Sequence, residues 1–129
     1  MNQKMTASDW AKMPNFKARE FNCKHSGRNE MDLRFISMLQ NLRSRYGKPM
    51  IITSGYRDPS HPVEARKARP GTHAQGIAAD IGVMGADAHD LVRLAMNMGF
   101  TGIGISQKAN GPRFIHLDIS TERTAIWSY

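Results

Sequence analysis

Little in this sequence could cross-link it, anchor it in a bilayer or divide it. There is one cysteine, Cys23, in 129 residues, so no internal disulfide can form and a disulfide framework is excluded. No apolar run approaches the ~20 residues that span a bilayer, so no membrane insertion is expected. The opening stretch MNQKMTASDW lacks the apolar core of a secretory signal. No internal repeat, low-complexity segment or long linker is evident. Acidic residues are scarce: 11 Asp and Glu against 18 Lys and Arg leave a formal charge of +7. Such an excess favours polyanionic partners, whether nucleic acid, anionic lipid or bacterial wall, without choosing among them. No recognition-helix motif, RNA-binding aromatic signature or zinc-finger spacing accompanies the charge, so nucleic acid is not the expected partner. What remains is 40% hydrophobic and 22% charged, an ordinary globular composition. The length fits one domain over residues 1–129, able to bury roughly two-thirds of its unfolded surface.

Residues 1–20 have few aliphatics and read as an arm or short helix anchored by Trp10, Phe16 and Phe21. From Asn29 to Tyr46 the pattern is helical, with Phe35, Leu39, Leu42 and Tyr46 on one stripe. Gly47 and Pro49 would end that helix. Met50 to Ser54 is a short β-type run, and Gly55 to Gly71 a long surface loop. Ile77 to Val83 alternates, placing Ile77, Ala79, Ile81 and Val83 on one face and Asp80 on the other. Ala86 to Met98 is a second helix with Leu91, Leu94, Ala95 and Met98 as its stripe, stopped by Gly99. Gly102 to Ser106 and Arg113 to Ile119 are strands joined by a turn at Gln107 to Pro112. In the second of these, Ile115, Leu117 and Ile119 oppose Phe114, His116 and Asp118. The expected fold is α+β, with helices packed on one side of a small, mostly antiparallel sheet. The opposite face would carry residues able to bind metal.

Those residues are His73, Asp80 and His116. Two imidazoles and one carboxylate form a common three-ligand set for catalytic zinc, with a fourth position left for water. Asp80 interrupts an apolar strand, where an unpaired carboxylate is costly. Ala74, Gly76, Ala78 and Ala79 leave room around the first two ligands.

Three segments carry a further signal: Ser54-Gly55-Tyr56-Arg57, His73-Ala74-Gln75-Gly76-Ile77-Ala78-Ala79-Asp80 and Phe114-Ile115-His116-Leu117-Asp118. In order and spacing they resemble the M15 zinc peptidases, D-alanyl-D-alanine carboxypeptidases and phage endolysins that cut peptidoglycan peptides. The likeness is strongest to the short, single-domain, phage-associated branch, and runs from about Phe21 to Tyr129. It implies a hedgehog/D-Ala-D-Ala peptidase-like fold and one Zn²⁺ per chain, held by His73, Asp80 and His116. It also implies that Arg57 grips a substrate carboxylate or carbonyl, for which a guanidinium fork is suited. Ser54 would position substrate or hold the loop.

The chain departs from the family at one place. Characterised carboxypeptidase-like members carry a Glu or Asp three residues before the last histidine, where this chain has Arg113. Asp118 is the nearest substitute, either as general base or as the residue that orients a ligand. His61 is a more distant candidate base. Cys23 reads as a buried filler, and His89 as exposed. Arg66-Lys67-Ala68-Arg69 is a basic patch that touches an anionic polymer or is simply solvated.

Two functions follow. The first is a zinc metallopeptidase that hydrolyses an amide bond of peptidoglycan stem peptides. It would be made in the cytoplasm without a signal peptide and act at the wall after release, or on a phage particle. The second is a non-catalytic, zinc-stabilised virion part or wall-binding module, motivated by Arg113.

Overall fold

The computed structural model describes residues 2–129. Alternation in the sequence becomes a sheet of β1 (Ile51–Ser54), β2 (Ala78–Gly82), β3 (Gly102–Ser106), β4 (Phe114–Asp118) and β5 (Ala125–Ser128). Their spatial order is β1-β2-β4-β3-β5. The pairs β1–β2, β2–β4 and β3–β4 are antiparallel, and β5 lies parallel to β3. No strand was expected after Ile119. The reason is physical: Ala125 and Ile126 are exposed, so β5 has no buried face to leave an alternating signature.

The apolar face of the sheet is roofed by helices. Helix α2 (Leu33–Tyr46) begins four residues after the expected Asn29, behind the cap Asp32, whose carboxylate accepts the Phe35 N–H at 3.0 Å. Asn29 instead spends its side chain on the Ala18 carbonyl and the Met31 N–H, holding that stretch out of the helix. Phe35, Leu39, Leu42 and Tyr46 are buried as one stripe. Gly47, at φ +73°, ends the helix in a left-handed turn that favours glycine. Helix α4 (Gly85–Asn97) contributes Ala88, Leu91 and Ala95. These residues enclose Ala79, Ile81, Ile103, Ile115 and Leu117 from the sheet.

Of the arm or short helix expected at the start, residues 2–21 show the helix, α1 (Ala7–Ala11), and add a 3-10 turn at Ala18–Phe21. Phe21 is fully buried against Phe16 and Trp10, with ring centroids 5.5 and 5.4 Å away. The same residue sets the approach to the site, because a Cβ on Gly55 would lie 2.6 Å from the Phe21 Cα. Gly55 therefore brings the Ser54–Arg57 segment hard against the 3-10 turn. The long loop beyond it contains α3 (Pro62–Ala65), started by Pro62 and capped by the His61 Nδ1, which accepts the Val63 N–H at 3.1 Å. Among the described residues, no helix is long and apolar enough to cross a membrane.

A candidate metal centre on the open face of the sheet

Register decides which side chains meet. Ser54 pairs with Asp80, Asp80 with His116, His116 with Gly104, and Gly104 with Trp127. This row crosses all five strands on the face away from the helices. His73 reaches it from the turn before β2, where its backbone carbonyl accepts the Arg57 N–H at 3.3 Å.

His73, Asp80 and His116 are all buried, and one donor atom from each lies within 4.8 Å of the others. His73 Nε2 stands 3.2 Å from Asp80 Oδ1, and His116 Nδ1 stands 3.0 Å from the same oxygen. The rear nitrogens are both committed. His73 Nδ1 donates to the Gly55 carbonyl at 2.8 Å. His116 Nε2 donates to Asp118 Oδ2 at 2.7 Å. A carbonyl and an ionised carboxylate can only accept, so each imidazole turns its lone-pair nitrogen toward Asp80. Three acceptors that converge in this way repel one another unless a cation sits among them. The donor set therefore fits a divalent, borderline-soft metal ion.

Burial would raise the Asp80 carboxyl, but hydrogen bonds from His116 and His73 hold it well below the usual carboxylate range. Burial would lower His116, but its bonds to Asp118 and Asp80 raise it instead. Asp118 is likewise held low, because Arg123, His116 and the Ser120 N–H outweigh its burial.

Asp118 lies behind His116, fully buried. Arg123 grips both its oxygens, at 2.8 Å each, and the Ser120 N–H adds a bond of 3.0 Å to Oδ1. There is room for the carboxylate because Gly102 on β3 has no side chain; a Cβ there would overlap its oxygens. Arg123 in turn lies over the Trp127 ring at 5.1 Å, and Trp127 lies against His116 at 5.2 Å.

Arg57 borders the other side of the row, half-buried. Its Nη2 is 3.7 Å from Asp80 Oδ2, and its Nη1 is 3.8 Å from Glu64 Oε2. Glu64, buried at the end of α3, also accepts from Lys67 Nζ at 2.8 Å and from the Gly71 N–H at 3.0 Å. Lys67, from the basic loop patch, thus has an internal partner. Ser54 is half-buried in the row beside Asp80. Arg113 points elsewhere, with Nε donating to the Lys108 carbonyl at 3.3 Å and Nη1 beside Met84 Sδ at 3.6 Å. His61 is partly exposed in the loop after Arg57, its ring 5.9 Å from that of His25. Cys23 is buried and His89 exposed.

Sequence reasoning passed over Glu64, Arg123, Trp127, Tyr129, Gly102 and Gly104. Glu64 and Arg123 read there as charges in irregular segments, and nothing in the pattern announced their partners. The glycines offered one signal, their two-residue spacing on a single face of a strand.

A buried pair of imidazoles and a carboxylate, on the open face of an α+β sheet and flanked by an arginine, is the equipment of a metal-dependent hydrolase. Family comparison narrows that class: a family model described as Peptidase M15 matches residues 14–118, most of the chain. The chain therefore belongs to the M15 peptidase family. No curated protein matches it. The family match stops at Asp118, so Arg123, Trp127 and Tyr129 lie beyond it.

Proposed function

We propose that this M15 peptidase uses one zinc ion, held by His73, Asp80 and His116, to hydrolyse an amide bond in peptidoglycan stem peptides. The observation that carries the reading is the pinning of both rear imidazole nitrogens, which leaves three acceptors aimed at one point. When bound there, the ion supplies Lewis-acid polarisation of the scissile carbonyl and activation of a water molecule. Arg57 grips a carboxylate or carbonyl oxygen of the substrate, and Glu64 steadies it from behind. Ser54 lines the substrate path beside Asp80. A basic protein suits carboxylate-rich stem peptides, and its place of action is the bacterial wall, whether the chain arrives free or on a phage particle.

Of the two roles open to Asp118, the orienting one has the better support. Both its oxygens are already engaged by Arg123, His116 and Ser120, so it has no free direction toward a substrate water. It fixes the His116 tautomer and raises the basicity of the facing nitrogen. Asp118→Asn is expected to weaken zinc binding about 10- to 100-fold, and to recover much of its turnover in excess zinc. A variant that keeps full zinc occupancy but loses hydrolysis would restore the base role.

A second reading has one observation in its favour. Arg113 stands where a carboxylate is usual and points away from the metal centre. In that reading the domain binds wall peptide, or stiffens a virion, without cutting. Metal analysis together with muropeptide digestion separates the two. One zinc per chain with chelator-sensitive cleavage supports the peptidase, and zinc without cleavage of any stem peptide supports the binding module.

A further inference from the structure

The row Asp80–His116–Gly104–Trp127 continues past the metal-type cluster into a segment that the family match does not reach. Gly104 leaves a hollow beside His116, and two polar groups fill it. A Cβ on Gly104 would stand 2.7 Å from Trp127 Nε1 and 2.9 Å from Tyr129 Oη. The indole and the phenol thus meet on the site face, one strand over from His116.

The polarity of the pair follows from chemistry. An indole N–H can only donate, so it turns a positive edge toward the phenol oxygen, which keeps its own hydrogen to give. The Tyr129 ring rests on Phe114, with centroids 5.1 Å apart, which fixes its plane. The residue is half exposed, on the same face as the row. A phenol ordinarily titrates near 10 and burial pushes this one up, so it carries its hydrogen at neutral pH.

Arg57 follows β1 and Tyr129 follows β5, so the two donors reach the row from opposite edges of the sheet. A peptide laid across Asp80 and His116 has one on each side. We propose that Tyr129 is a further catalytic residue, whose phenol donates a hydrogen bond to the scissile carbonyl oxygen as that oxygen gains charge. Trp127 is its positioning residue, holding the phenol oxygen from behind while packing on His116. This assignment rests on the peptidase reading above.

The test compares wild type and Tyr129→Phe, each loaded with zinc, on a peptidoglycan stem pentapeptide and on a phosphinate analogue of it. Zinc content is measured for both and should be equal. The expected result is a loss of about 100-fold in kcat with KM within about twofold. Phosphinate affinity, measured by calorimetry, should fall by a comparable factor. Equal kcat and equal phosphinate affinity in the two proteins overturn the proposal and leave the peptidase reading intact. A rise in KM alone also overturns it, because the hydroxyl would then bind substrate without assisting the reaction. If wild type cleaves nothing, weaker phosphinate binding by Tyr129→Phe still supports the donor, and only the hydrolysis reading fails. If neither protein binds the phosphinate, both readings fall.

Discussion

Asp118 shows how much a single buried side chain is asked to do. Its carboxylate is fully buried, satisfied by one imidazole, one guanidinium and one backbone N–H, and it lies against a glycine. Removing the guanidinium leaves a buried charge short of partners. Arg123→Gln is expected to cost about 2 kcal/mol of stability, read from denaturant unfolding of the metal-free chain. It should also lower metal affinity, because His116 loses its fixed orientation. A change in stability with unchanged zinc affinity would separate Arg123 from the site. At this scale the sequence was informative where residue type and strand face coincide. Residue type and alternation marked Asp80 and His116 as candidates, the family resemblance joined His73 to them as ligands, and the fold does bring the three together. Glu64 and Arg123 could not be placed, because their roles depend on loops that bring distant residues together, and no local pattern encodes such contacts.

Among the elements, α2 was the most legible and β5 the least. Helix α2 combines a four-residue stripe, a capping aspartate and a terminal glycine, all local signals that agree. Only its start differed, since Asn29 forms tertiary bonds that outweigh its place in the periodicity. Asp32 both caps the helix and accepts the Gln3 N–H at 2.8 Å, so it ties the first residues to α2. Asp32→Ala should therefore cost about 1 to 2 kcal/mol, at the upper end for a helix cap, measured by chemical denaturation. Leu39→Ala, in the fully buried stripe, should cost about 2 to 5 kcal/mol through lost burial and the cavity left behind. Strand β5 is held by backbone pairing to β3 and by Trp127, so neither hydrophobic alternation nor a turn signal betrays it.

For the whole molecule, acid is the informative stress. Three buried aspartates, Asp58, Asp80 and Asp118, are held below their usual range in the folded chain. Asp58 is lowered to about 2, by the Ser60 N–H and hydroxyl and by Arg28, which bonds it at 2.7 Å. In the unfolded chain such groups titrate near 3.9, so the unfolded state binds more protons in that window. Their stabilisation is present above the unfolded value and is lost as pH falls through each folded one, about 2 for Asp58 and lower still for Asp80 and Asp118. The thermal midpoint of the metal-free protein should decline over that range. Asp58→Asn should flatten part of the decline; an unaltered profile would show that the bonds joining Ser26 and Arg28 to the loop after Arg57 contribute nothing.

Two absences, at Gly102 and Gly104, have a consequence for how this molecule can change over time. Neither position offers a side-chain atom to a ligand, yet one shapes the space for the Asp118 carboxylate and the other the space for Trp127 and Tyr129. In a saturation mutagenesis screen selected for function, both should tolerate substitution as poorly as the histidines do. Such a map would record the outline of the site as a negative imprint, legible in the two places where β3 contributes no side chain.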